Sequence, residues 1–174
     1  LAAELRERGL EAECFDLNFD RSLEVEVPGG GQAADRYAMA ASVLEADAWI
    51  NCPVAKSHGT RITVSMKNHL GLLPGTVYGW PKMQGTGDHP GMPHGYGVMD
   101  ELMVDLWQVS QVDLNVVDGI VGREGGALWY GEPLRANWVL AGRNPVAVDL
   151  TAARLMGFNP DDMEFAELAW QRGL

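Results

Sequence analysis

Apolar positions recur along the chain with two different periods, and the two alternate. Leu1 and Leu5 stand one helical repeat apart before Gly9, a plausible stop, which predicts a helix over 1–8. The stretch 11-EAECFDL-17 alternates polar and apolar residues and predicts a strand. Residues 18–32, ending in 28-PGGG-31, read as a loop, and Tyr37, Ala40, Ala41 and Leu44 then fall at helical spacing within 33–45. The short apolar run 47-DAWINCP-53 predicts a buried parallel strand emerging from a sheet. A short helix follows near 64–72, and the Gly- and Pro-rich stretch 74–93 reads as a long loop, of a length more often functional than decorative. In the second half the pattern predicts a helix over 98–110, with Leu102, Leu106 and Val109 on one face. Strands follow at 112-VDLNVVDG-119, with Asp118-Gly119 as a turn, and at 137-NWVLA-141. Two more helices are expected over 145–156, started by Pro145 and closed by Gly157, and over 163–172. Helices alternating with short apolar strands define an α/β class. The expected architecture is one domain over 1–174 with three layers: a mostly parallel sheet flanked by helices, its strand ends overlaid by the long Gly/Pro loop.

Charge narrows the functions such a fold could serve. The 174 residues carry 24 Asp and Glu against 13 Lys and Arg, a net charge of −11. That balance disfavours nucleic acid and anionic lipid as partners. No apolar run is long enough to span a membrane, and the first ten residues lack the apolar segment of a secretory signal. Cys14 and Cys52 are too few for a disulfide framework or a self-contained iron–sulfur site, so two free thiols in a reducing, cytoplasmic setting are expected. The chain opens without Met, which predicts a missing upstream portion.

One segment departs from this acidity. From Ala48 to Gly87 there is no carboxylate side chain, yet the segment holds Lys56, Arg61, Lys67, Lys82, His58 and His69. In α/β sheets ligands bind beyond the carboxyl ends of the strands. The strand at 49–51 leads to Lys56 and His58, that at 115–117 to Asp118 and Glu124, and that at 138–140 to Arg143 and Asn144. Loops meeting there would join cations suited to an anion with carboxylates suited to a metal ion or proton transfer. His89 and His94 offer a further metal-binding pair, whereas His69 fits a structural role. The 28-PGGG-31 run lacks the Gly-Lys-Ser/Thr of a phosphate loop, and neither a Gly-x-Ser-x-Gly elbow nor a Cys-x-x-Cys pair is present.

Several of these residues fall in order into a larger pattern. Lys56, His58, Thr63, Lys67-Asn68 and Gly71 are followed by His89, 118-DGIVGREG-125 and 141-AGRNPVAVDLTAARLMGFNP-160. This succession resembles the domain-of-unknown-function 362 family. The resemblance implies Lys56, His58, Lys67, Asn68, Asp118, Glu124 and Asp149 as site residues, Asp149 supporting the site from within a helix. It departs at Asn144, where the family pattern has Asp, and in lacking the family's upstream portion. Some members look fused to ferredoxin-type modules, which implies a redox setting in which an iron–sulfur protein or the upstream segment is the partner. No cluster is expected on this chain itself.

Three expectations follow. The first is an enzyme for a small anionic substrate held by Lys56, Lys67, Asn68 and Arg61. There His58 serves as acid or base, Asp118 and Glu124 move protons, and a divalent metal has His89, Asp118 and Glu124 as candidate ligands. The second is a non-catalytic ligand-binding or electron-transfer accessory domain docking an iron–sulfur partner. The third is a purely structural pairing of Lys56 and Lys67 with Asp118 and Glu124.

Overall fold

A computed structural model describes residues 2–58, 61–79, 82, 84–86, 91–92, 98–126 and 130–174. Helix α1 (Ala2–Glu7) forms as the spacing predicts. The expected strand over 11–17 does not: its residues are irregular up to a single 3-10 turn at Leu17–Phe19, started by the Asp16 carboxylate accepting from Asn18 N. Alternation there has no covered face to serve, since Phe15 and Phe19 are largely exposed. The strand instead appears where a loop was expected, as β1 (Ser22–Glu26), paired antiparallel with β2 (Arg36–Ala40). β2 replaces most of the expected 33–45 helix, leaving only α2 (Ala41–Leu44). Tyr37 to Ala40 are all buried, so a strand covered on both faces produced apolar spacing that mimics a helix.

The main sheet is built around one long strand. β3 (Ile50–Asn51) and β4 (Val54–His58), separated by Cys52-Pro53, both run parallel to β6 (Leu114–Glu124), while β5 (Arg61–Thr63) is antiparallel to β4. β7 (Glu132–Gly142) lies antiparallel on the other side of β6. The class is therefore α/β with a mixed sheet, parallel at its centre and antiparallel at both flanks. The strand expected to turn at Asp118-Gly119 continues to Glu124, and β7 begins five residues before 137. Gly119 makes this possible. A Cβ there would stand 2.2 Å from the Trp138 ring, so glycine lets the indole lie across the strand. A bulge follows between Gly119 and Val121, with Asn137 at φ +58°.

Helices cover one face. α3 (Ser65–Asn68) runs into a 3-10 turn at 69–72, so the expected 64–72 helix is two short pieces. α4 (Gly75–Tyr78) opens the Gly/Pro-rich segment, much of which, including His89 and His94, lies outside the described residues. α5 (Met99–Ser110) buries Leu102 and Leu106 and packs on α7 (Glu164–Gln171). α6 (Pro145–Leu155) starts at Pro145, as expected. Its N-cap, Asn144, accepts from Ala147 N at 3.0 Å, a capping role Asn fills as well as Asp. Ala55 and Val117 are buried, but the cross-strand row Val54–Asp118–Val139 on the other face is exposed. No third layer covers that row among the described residues.

Candidate functional site

Two of the residues carried over from the family pattern serve one buried polar network. Asn51 and Asn115 are neighbours in the β3–β6 register, both buried. Asn51 Nδ2 donates to Asn115 Oδ1 (2.9 Å) and to the Ser65 carbonyl (3.1 Å), while its Oδ1 accepts from Asn68 Nδ2 (2.6 Å). From the opposite side the Asp149 carboxylate accepts the backbone N–H of Ser65 (2.7 Å) and Met66 (3.0 Å). His69 Nδ1–H donates to the Ser65 carbonyl at 2.8 Å and, more weakly, towards that of Met66. Its Nε2 is buried without a partner among the described residues, and its ring meets Trp49 edge-on at 5.4 Å. Burial raises the Asp149 carboxyl to about 7, its two N–H donors opposing the shift, and burial lowers His69 to about 4. Asn68, Asp149 and His69 therefore fix the turn that carries Lys67.

Lys67 leaves that turn for a cleft of about 240 Å³ shared with Arg61, Asp100, Met99, Met163 and Phe165. Asp100, buried in the first turn of α5, is ion-paired with Arg61. Desolvation first, and the Arg61 charge second, lower the Lys67 ammonium from its ordinary value, while Asp100 acts the other way. Among the described residues this ammonium makes no hydrogen bond or ion pair. Asp162 and Glu164 stand at the same cleft, so the wall that is acid-free in sequence meets acids in space.

The remaining candidates lie elsewhere. Lys56 is half-buried in β4, its pKa lowered by desolvation and then by Arg123, its register neighbour on β6. His58 is exposed at the end of β4, opposite Arg61. Lys82 donates to the Leu70 carbonyl at 2.6 Å, and burial lowers it to about 8. Asp118 is exposed between Val54 and Val139 and accepts from Ile120 N at 2.8 Å, a local turn-type bond. Glu124 lines a different cleft, with Ser57 and Trp138. The structure thus brings Arg61 and Lys67 together but joins neither to Asp118 or Glu124. No three His, Cys, Asp or Glu side chains gather closely enough to hold a metal among the described residues, and His89 is not one of these.

Sequence reasoning missed Asp100 and Asp105, although a signal was present: both fall within the predicted helix 98–110, Asp105 beside its apolar Leu102 and Leu106. Asp105 explains 28-PGGG-31. Its fully buried carboxylate accepts from the backbone N–H of Gln32, Ala33 and Ala34, from Tyr37 Oη and from Arg172. The loop holds the protein's own anion where a phosphate loop would hold a ligand. Gly31 is required there, because a Cβ would lie 1.8 Å from the Ala34 carbonyl oxygen.

The model of a family described as "Domain of unknown function (DUF362)" matches residues 2–154. Thylakoid-associated protein sll1697 of Synechocystis sp. is 28% identical over 142 residues, covering 78% of this chain and 42% of that protein. The chain thus spans less than half the length of the curated relative it matches. No solved structure matches it. No helix among the described residues is long and apolar enough to cross a membrane.

Proposed function

Because the chain belongs to the DUF362 family, whose description assigns no activity, we propose a function from the geometry: it binds a small anionic molecule in the Arg61–Lys67 cleft. The observation that carries this reading is the half-buried Lys67 ammonium, held on a rigid turn with no hydrogen-bond acceptor among the described residues. A buried cation is costly unless paired, and an anion of a few heavy atoms fits the volume and supplies the pair. Arg61, already fixed by Asp100, would orient the ligand rather than supply net charge. Asp162 and Glu164 at the rim favour a ligand that also carries a donor, such as a hydroxy acid or an amino acid.

The test is calorimetric titration with inorganic phosphate and with a small hydroxy acid, together with native mass spectrometry of the purified protein for retained anions. Lys67→Met should weaken binding about tenfold or more while leaving the melting midpoint within a degree or two. Unchanged affinity in that variant removes Lys67 from the site. A large loss of stability would instead assign Lys67 a structural role beside Asp100.

A second reading is favoured by one observation. Ile50, Val54, Ile120 and Val139 are exposed around Asp118 on the uncovered sheet face, a surface for an accessory domain that docks an iron–sulfur partner. A relative described as thylakoid-associated is in keeping with a protein that docks on a partner. Under this reading Val139→Glu abolishes partner capture and leaves anion binding intact.

A further inference from the structure

β6 and β7 each run 11 residues, and so does α6, the helix that packs on β7. Eleven residues of strand reach about 36 Å, whereas eleven of helix reach about 16 Å. α6 starts against the end of β7, where a Cβ on Gly142 would stand 2.7 Å from Val148 Cγ2. It therefore ends well short of the far half of the β6–β7 pair. The overhang leaves a cleft of about 470 Å³, roughly twice the Arg61–Lys67 cleft and separate from it. Ala55, Gly122 and Ala136 line it with little side-chain bulk, and Trp138, lying over Gly119, forms its apolar walls with Met156 and Phe158.

The mouth has a definite charge. Glu124 and Glu132 line the cleft and are direct cross-strand partners in the β6–β7 register. Like charges placed opposite one another on a sheet repel. Arg123 also lines the cleft, its Nε donating to the Gly131 carbonyl at 2.9 Å, so the opening sets two carboxylates against one guanidinium and stays negative by one charge. An apolar slot beside an indole face, with paired carboxylates at its opening, matches a ligand with a flat ring at one end and a positive charge at the other.

We propose that the cleft at the overhanging end of β6 and β7 binds a flat, ring-bearing amine, its ring beside Trp138 and its ammonium between Glu124 and Glu132. The site is independent of the anion cleft, and neither proposal depends on the other.

The probes are 1-naphthylmethylamine and its neutral counterpart 1-naphthylmethanol, each titrated into the intact chain by calorimetry. The amine should bind about tenfold more tightly than the alcohol. Glu124→Gln with Glu132→Gln should erase that preference while both probes still bind. Ala136→Phe, which fills the slot from its lining, should abolish binding of both. Trp138→Phe reports whether the indole is in contact, by a change in binding enthalpy. Circular dichroism and melting curves identify any variant that fails to fold, and the wild-type amine-to-alcohol ratio tests the proposal without any variant. Equal affinity of the two probes for the wild type overturns the charge assignment. No binding of either, or binding unchanged by Ala136→Phe, overturns the site.

Discussion

Replacing Asp149 by Asn should alter how stability depends on pH more than it alters stability at any one pH. Folding lifts the Asp149 carboxyl from 3.8 to about 7 and lowers His69 from 6.5 to about 4. Between about 4 and 7 the folded Asp149 holds a proton that the unfolded chain has given up. Its contribution therefore falls as pH rises, by about 1.4 kcal/mol per unit. Between about 4 and 6.5 the unfolded His69 holds a proton that the folded chain lacks. Its contribution falls as pH falls, with the same slope. Over the shared window the two slopes cancel, although both groups grip the same Ser65–Met66 turn. Asp149→Asn leaves the His69 slope uncompensated, so the variant should gain about 3 kcal/mol on the wild type between pH 4 and 6.5. His69→Asn, whose amide can keep the donor to the Ser65 carbonyl, should show the opposite trend, and the double variant should be flat again. Urea titrations followed by tryptophan fluorescence across that range measure each difference, and other titrating groups drop out of the comparison. A difference between Asp149→Asn and wild type that does not change with pH refutes the reasoning. It would mean that the two backbone donors outweigh desolvation and keep Asp149 ionised throughout.

Asp105→Ala should cost about 3–5 kcal/mol by urea unfolding, because it leaves the largely buried Arg172 guanidinium and three backbone N–H groups without their acceptor. Gly31→Ala should be nearly as harmful as seen by melting, since its Cβ would overlap backbone rather than a movable side chain. Asn51→Ala should cost about 1–3 kcal/mol by leaving Asn115 Oδ1 and Asn68 Nδ2 without their partner, and should weaken anion binding through the turn that carries Lys67. Gly119→Val should displace the Trp138 ring, lowering stability by about 1–3 kcal/mol and changing the near-ultraviolet dichroism.

How much of this was legible in the sequence depended on whether the evidence was local. α5, α6 and α7 announced themselves through apolar spacing, a proline start and a glycine stop, and β3, β6 and β7 through short apolar runs, whereas β4 was missed and its Lys56 and His58 were expected beyond a strand end. β2 was hidden because burial on both faces removes the alternation that marks a strand. The length of β6 was hidden because Asp118-Gly119 has the chemistry of a turn, and only Trp138, nineteen residues on, shows why glycine is there. The acid-free segment did mark the cations, but not their partners. Asp100 reaches Arg61 from a helix thirty-nine residues away, and the carboxylates expected to complete the site, Asp118 and Glu124, extend along β6 to other surfaces.

The overhang of β6 and β7 beyond α6 also divides the sheet by how its amides should meet solvent. Near Asn115 and Val117 the ladder is roofed by buried side chains, so those N–H groups should exchange with deuterium only through whole-chain unfolding. From Val121 to Glu124, and from Glu132 to Arg135, the same ladder lies past the end of its helix and can fray on its own. A single continuous hairpin should therefore show two protection levels, with the step at the bulge between Gly119 and Val121. An amine seated in the cleft would move that step outward.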